Sequence, residues 1–449
     1  MTGKISDNLG RSSGLVKAVQ AGRTGTVDWQ TDSIKTSTFT ATNGEGYFAN
    51  TTSGTFSMNL PAGSAGSIVA VKDYLNTFDS NCLTVVPNGS DKIGGSNANY
   101  SISTEALSVT LVYIDGTRGW VDIHESTQKV SGGLYLTASV SGTCNSIATD
   151  GDYKIAQFKN PGTFTITCAG GAGGSQKADY LVVAGGGGAG NSNGGGGGAG
   201  GLRFGQVTAC TGMGPFSTSP GAYPITVGGG GAGQPGPEPS SSGQGHSGTN
   251  TVFNSITSAG GGGAGSGAGP SPGANGIAGG SGGGGGTNSG TGGAGNTPPA
   301  PVSQGNAGGN GGGPGPFGVP FQAGGGGGGH AAASANVSPS PTIGGVGGAG
   351  KDVSPIFGTA PQPFYIANGP ANGASVGGQF AGGGGGGVTS PTTAGGGGVG
   401  GGGNATDGPT TGNAGTANTG GGAGGGGNPG PGAGGAGGSG IVLIRYKFQ

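Results

Sequence analysis

From Thr26 to about Ser126, short runs of alternating or β-branched residues follow one another: SIKTSTFTA, GTFSMNL, GSIVAVKDY, NCLTVVPNG and LSVTLVYIDGTRGWVDI. Each is bounded by Gly, Pro, Asn or Asp. Period-two alternation puts every second side chain on one face, so each run predicts a half-buried strand. Helical apolar spacing over three turns does not occur there. Ile114 and Trp120 flank DGTRG, which predicts a hairpin loop with glycine where a positive φ is needed. A module of about 100 residues is large enough to hold one core. A second, shorter β pattern follows in LYLTASV, the turn TDGD, YKIAQF, NPG and TFTITC.

The pattern then breaks. DYLVVAGGGGAG, residues 179–190, starts as a buried strand and turns into nearly pure glycine, and glycine runs recur from there almost to the end. Of the 124 glycines in 449 residues, 20 lie before Ala169, so the composition changes abruptly. The expected division is an arm or anchoring peptide over 1–25, an all-β attachment or oligomerisation module over 26–130, a short β connector over 131–178, and a glycine-rich domain over 179–449.

A polyglycine run loses much backbone entropy on ordering and has no side chains to bury, so alone it is disordered. Association changes the balance. In the polyproline II conformation, with three residues per turn, N–H and C=O groups point outward, and without Cβ atoms neighbouring chains approach until those groups bond. Two features favour such a polyglycine II bundle over disorder. Aliphatic strands abut the runs directly, in YLVVAGGGG, AYPITVGGGG and the closing GGSGIVLIRYKF, as though a small sheet gathers the rods at a base, with Val252, Phe253 and Ile256 plugging it. After Ala169 the charged residues are few: Lys177, Asp179, Arg203, Glu238, Lys351, Asp352, Asp407, Arg445 and Lys447, whereas disordered solvating segments carry many. The fold class expected is therefore all-β module followed by polyglycine II bundle on a small sheet, with essentially no α-helix.

The order of GTFT, ADYLVVAGGGGAG, GGGGGAGGLRF, YPITVGGGGAG, TVFNSITSAGGGGAG and GGSGIVLIRY resembles the glycine-rich domains of bacteriophage tail-fibre proteins and adhesins, over Gly162–Gln449. The resemblance implies a polyglycine II sandwich whose variable loops lie at a distal tip and recognise the host surface. VDWQT, GYFANTTSG, NLPAGSAGSIVAV, PNGSDKIGG and TLVYIDGTRGW resemble a module of virion structural proteins of marine and cyanobacterial phages. Together they imply a virion fibre or adhesin: attached to the particle through its N-terminal region, homotrimeric, with other virion proteins and a host receptor, protein or glycan, as partners. The alternative is a structural fibre or capsid decoration without receptor specificity. The long segments Gln234–Thr249, Thr287–Gln304 and Lys351–Phe380 depart from the adhesin pattern.

Chemistry is sparse. A net charge of -1 with 7% charged residues offers no nucleic-acid surface, and no apolar run is long enough to span a bilayer. The N-terminus lacks the apolar core of a secretory signal, which predicts synthesis as a soluble chain in the cytoplasm and residence on the virion. His124, His246 and His330 are isolated, GxGxxG matches arise by chance in so much glycine, and no cofactor or metal is expected. Asp150 and Asp152 in TDGDY form a hairpin turn rather than a calcium site. The acids of the glycine segment, Asp179, Glu238, Asp352 and Asp407, lie far apart for a glycan-cleaving pair, so no enzyme is expected. Cys82, Cys144, Cys168 and Cys210 have no metal spacing and are expected to be mostly reduced and buried. An ice-binding bundle would need a regular Gly-X-X period, and none is evident.

Recognition is better served. GPFSTSPGAY, GPFGVPFQA and SPIFGTAPQPFYIANGP place Phe216, Phe317, Phe321, Phe357, Phe364 and Tyr365 among Pro and Gly, where exposed loops are expected. Rings stiffened by proline make low-entropy contacts. They serve equally to cap a glycine bundle that has little other apolar matter, and both readings stand.

Overall fold

A computed structural model of the chain describes residues 27–124, 135–170, 175–207, 213–236, 243–267, 273–313, 322–338, 341–359, 362–365, 377–430 and 432–449. The expected arm over 1–25 lies outside them. The described residues are β-structured or irregular, and their one helical element is the single turn Ser354–Phe357.

The first module contains β1 (Asp28–Lys35), β2 (Phe39–Thr40), β3 (Glu45–Ala49), β4 (Phe56–Asn59), β5 (Ile68–Asp73), β6 (Leu83–Val86), β7 (Tyr100–Ile102), β8 (Ser108–Asp115) and β9 (Gly119–His124). They form two sheets, ordered β1-β3-β5-β8-β9 and β2-β4-β6-β7. The chain alternates between sheets from β1 to β6, so β1-β3-β5 and β2-β4-β6 pair in parallel. A coil of this kind, followed by antiparallel closure with β7, β8 and β9, was not legible from alternation alone. One face of each sheet meets the other around Tyr47, Met58, Phe78, Leu83, Leu111 and Trp120, all buried. The DGTRG hairpin forms as expected: Gly119 has φ +70°, and a Cβ there would collide with the Lys92 carbonyl. Asp73, buried, accepts hydrogen bonds from the Thr77, Phe78 and Ala106 amides at 3.1 Å each and so ties two loops to the core.

The second body begins with β10 (Thr137–Val140), β11 (Ser146–Asp150), β12 (Tyr153–Phe158), β13 (Gly162–Cys168), β14 (Lys177–Val183), β15 (Leu202–Gly205), β16 (Phe216–Ser217), β17 (Gly221–Thr226), β18 (Thr251–Phe253) and β19 (Ile256–Ser258). It ends with β20 (Lys351–Asp352), β21 (Gln379–Phe380) and β22 (Ile441–Lys447). The sheet β11-β12-β22-β14-β15 draws together strands from both ends of the second body, since β22 lies between β12 and β14. The sheet β10-β13-β17-β18-β19 packs over one face of it.

Tyr180 and Val182 of β14, with Val442, Ile444 and Tyr446 of β22, point into the layer between these sheets, where Phe164 and Phe253 also lie. Leu181, Val183, Ile441 and Leu443 point the other way, against the segment 351–380. Burial on both faces explains why YLVV and IVLIRY read as continuous apolar runs rather than alternating ones.

Beyond this base the glycine runs leave as rods. Gly185 and Gly188 donate to the carbonyls of Thr249 and His246, Gly186 and Ala189 to those of Gly438 and Gly435, and Gly187 and Gly190 to those of Gly198 and Gly195. This rod thus turns to a new neighbour at every residue and returns to the first after three, and partner numbers fall as donor numbers rise, so these three neighbours run antiparallel to it. Other neighbours run parallel: Gly261 and Ala264 donate to the carbonyls of Gly185 and Gly188. Residues 184–201 are buried throughout. A Cβ at Gly185, Gly186, Gly187 or Gly188 would sit well inside contact distance of the carbonyl oxygen of Gly229, Gly421, Gly262 or Ala232 respectively. The core here is backbone.

Outer rods carry side chains at three-residue spacing on the solvent side: Ile343, Val346 and Ala349; Thr393 and Val399 with Gly396 between; Ala433, Ala436 and Ser439. This spacing of one side chain in three occurs in these runs and is lost in the interior. Asparagines close the seams between outer rods. The Oδ1 atoms of Asn275, Asn310 and Asn336 accept the amides of Thr291, Gly292 and Asn310, each at 2.9 Å.

Candidate functional site

The rods give the second body two ends. At the base end, Ala184 bonds to Gly201, and the chain enters or leaves β14, β15 and β22. At the distal end the rods reverse near Asn191–Asn193, Asn288–Ser289, Thr389–Thr393, Asp407–Thr411 and Asn428–Gly430.

Charge is divided between the ends. Lys177 and Asp179 on β14, Arg203 on β15, Lys351 and Asp352 on β20, and Arg445 and Lys447 on β22 all lie at the base. Among the described residues of the distal end, Asp407 is the charged one. Asp179 and Arg445 are paired across β14 and β22 at 2.8 Å, and Arg445 stacks 3.5 Å over the Tyr153 ring, so these charges hold the sheet and are not free for a partner.

The aromatic candidates divide as follows. Phe216 is 9% exposed and packs on Tyr223 and Phe253 between the two base sheets. Phe357, Phe364 and Tyr365 are 0%, 2% and 8% exposed, stacked on one another and on Phe380. The Tyr365 hydroxyl donates to the Gly358 carbonyl at 2.9 Å, and burial raises its pKa well above that of a free tyrosine. The expectation of exposed loops is thus overturned for all four: each ring covers sheet surface that would otherwise face water. Phe317 and Phe321 lie outside the described residues. Phe253, read as a plug, is fully buried between the two base sheets.

The described residues of the segment Lys351–Phe380 accordingly sit at the base, where Val353, Ile356 and Phe357 join Leu181, Val183 and Leu443 in one buried cluster. Of Gln234–Thr249, Gln234 lies at the distal end and residues 243–249 return along a rod, and Thr287–Gln304 runs from the distal end back to the base. The turn TDGD forms the β11–β12 hairpin, with Gly151 at φ +56°. Among the described residues no cluster of three His, Cys, Asp or Glu side chains could hold a metal ion. No helix among them is long and apolar enough to cross a membrane.

The cysteines correct another expectation. Cys82 and Cys168 are paired in a disulfide, with Cα atoms 5.9 Å apart, and Cys144 is exposed. Cys210 lies outside the described residues. Spacing along the chain carried no trace of this pair, because it joins strands of different modules.

At the distal end the turns form one continuous surface. Ile343 bridges to Thr393, the Ser390 amide donates to the Asn428 carbonyl at 2.8 Å, and Gly430 packs on Pro409. Beneath them lies a layer of buried amides and hydroxyls: Asn193 Nδ2 donates to Thr389 Oγ1 at 2.7 Å, Asn191 Nδ2 to the Pro235 carbonyl at 2.8 Å, and Gln322 Nε2 to Asn288 Oδ1 at 3.2 Å. This layer fixes the turns from within. The profile of the glycine-rich domain family matches residues 157–447, starting in β12 and ending on the last residue of β22. The chain belongs to the glycine-rich domain family. The match takes in β14, β22 and the last two residues of β12, Gln157 and Phe158, so it covers base strands as well as rods. No curated protein matches the chain. Among the described residues, Ser390, Pro391, Thr393, Asp407, Pro409, Thr410 and Thr411, all exposed, give the domain a distal surface of hydroxyls, prolines and one carboxylate.

Proposed function

We propose that this chain is a phage virion fibre or adhesin. Its N-terminal region attaches to the particle and to other virion proteins, and its glycine-rich domain is a polyglycine II bundle that meets a host cell-surface receptor, protein or glycan, with its distal turns. In this reading the protein is a homotrimer, resides on the virion and has no catalytic role.

The observation that carries the reading is the three-residue recurrence of hydrogen-bond partners from Gly185 to Gly190, which is what a three-residue helical turn without side chains produces when packed among its like. A scaffold of this kind holds its turns rigidly on backbone bonds, leaving them free to vary in sequence, and rigid presentation lowers the entropy lost on binding. The charge distribution supports the same assignment of ends, since Asp179 and Arg445 of the base are committed to the sheet.

A second reading, a structural fibre or capsid decoration without a receptor, is favoured by one observation: Phe216, Phe357, Phe364 and Tyr365 are absorbed into cores. Exchange of the turns Thr389–Thr393 and Asp407–Thr411 for those of a related phage separates the two. Altered host range or altered adsorption to host cells is expected; unchanged adsorption, with the protein located on the capsid by electron microscopy, selects the structural reading.

A further inference from the structure

The joint between the modules carries an inference independent of receptor recognition. Cys82 precedes β6 of the first module and Cys168 ends β13 of the second, 86 residues later. The hydrophobic clusters each lie within one module, residues 39–120 in the first case and residues 136–448 in the other two. The strand pairings respect the same division. Among the described residues the joint is spanned by the disulfide, a contact of 3.5 Å from Cys82 Sγ to the Thr167 carbonyl, and a groove of about 470 Å³ with Thr84, Asn99 and Ser101 on one wall and Gln176, Lys177 and Thr218 on the other. Walls of hydroxyls, amides and one lysine do not make a large apolar interface, and domains without one move relative to one another by default.

We propose that Cys82–Cys168 is a redox-set lock on this joint. With both cysteines as thiols, one covalent tether, the main chain, connects the modules; with the disulfide formed, two do, and two separated tethers remove the rotation that one permits. Thiols are kept reduced in cytosol and oxidise outside it, so the joint is free where chains are made and fixed where particles act. The lock closes by thiol–disulfide exchange: one cysteine thiolate attacks a small-molecule disulfide, releasing one thiol, and the second cysteine thiolate displaces the other. The protein gives up two protons and two electrons, and the acceptor departs as two thiols. In the closed state Cys82 and Cys168 are 1% and 0% exposed, so a reductant must wait for the groove to open. Cys144, exposed on the second body, takes no part.

The test uses the full chain in small-angle X-ray scattering, before and after treatment with a dithiol reductant, beside the double variant Cys82→Ser, Cys168→Ser and the control Cys144→Ser. Alkylation and mass measurement count free thiols, and calorimetry follows the thermal transitions. The untreated chain and the Cys144→Ser control are expected to give one narrow distance distribution. The reduced chain and the double variant are expected to give a longer maximum dimension and a broader distribution, with the transitions of both modules retained. Superimposable scattering curves overturn the lock, as do alkylatable Cys82 and Cys168 in the chain kept under oxidising conditions. Loss of the first module's transition in the double variant overturns it also, because the disulfide is then a folding staple.

Discussion

The two halves of this molecule solve one problem with opposite materials. In the first module Tyr47, Met58, Phe78, Leu83 and Trp120 fill the space between two sheets, and stability comes from apolar area withdrawn from water. In the glycine-rich domain the interior of the rods contains almost no side chains, and interior residues such as Gly187 and Gly197 instead give their amide to one neighbour and their carbonyl to another. Side-chain cores tolerate exchange of one apolar residue for another of similar volume. A backbone core has no such latitude, because the smallest side chain is already too large. The first module is thus specific in pattern, the second in the absence of Cβ atoms at given positions.

The sharpest way to break the comparison is to add side chains to the rods. A Cβ at Gly187 would overlap the Gly262 carbonyl, and the branched carbons of valine would overlap further. Gly187→Val is expected to cost more than about 4 kcal/mol, the range reserved for changes that a structure cannot absorb. In calorimetry the glycine-rich domain should lose its transition while that of the first module persists; a variant that melts like the parent would reduce the rods to linkers. Phe357→Ala tests the base, where side chains do the holding. With Phe357 fully buried against Phe364, the loss should be about 3–5 kcal/mol. Were 351–380 an exposed loop, urea denaturation would register roughly 0.5 kcal/mol or less.

These two sites also mark what sequence could and could not reveal. YLVV and IVLIRY announced the base sheet because their apolar runs are continuous, and the DGTRG hairpin was fixed by local turn chemistry. The parallel coil of β1 to β6 was hidden, since alternation gives the face of each residue and says nothing of which strand lies beside which. Phe357, Phe364 and Tyr365 were misplaced for a related reason. Proline and glycine around a ring describe an irregular backbone, and irregular backbone covers cores as readily as it projects from them. The candidate surface itself was only partly legible: the hydroxyl-rich turns at Thr389–Thr393 and Asp407–Thr411 have no aromatic signal, and their neighbourhood follows from rod order, which no local pattern encodes.

A smaller effect is expected from protons at the rim between rods and base. His330 is inside the rim, near the Gln304 carbonyl and Lys351, and burial lowers its pKa from the ordinary 6.5. A histidine with a depressed folded pKa binds its proton more readily when unfolded. Its contribution is therefore intact above about pH 6.5 and declines as pH falls through that value towards the folded pKa. Thermal melts at pH 7.5 and pH 5 should show a larger drop for the parent than for His330→Gln. Equal drops would mean that the imidazole is solvated in the folded chain and the rim is looser than its backbone bonds suggest.

The smallest change is the most discriminating, because it separates rod geometry from mere glycine content. In the run Gly395–Gly398, added Cβ atoms at Gly395, Gly397 and Gly398 would strike the carbonyls of Gly345, Gly402 and Gly348, while one at Gly396 meets nothing within 4 Å. Gly396 is three residues from Thr393 and from Val399, on the side of the rod that already carries side chains. Alanine narrows the unfolded ensemble, and where the native backbone accepts it this stabilises by about 0.4–1 kcal/mol. Gly396→Ala should therefore raise the melting temperature of the glycine-rich domain slightly, whereas Gly397→Ala, one residue along an all-glycine run, should lower it. A disordered or loosely collapsed run would respond identically to both. Opposite signs at adjacent glycines can arise only if each has a fixed and different neighbour, which is the property that makes the backbone a core.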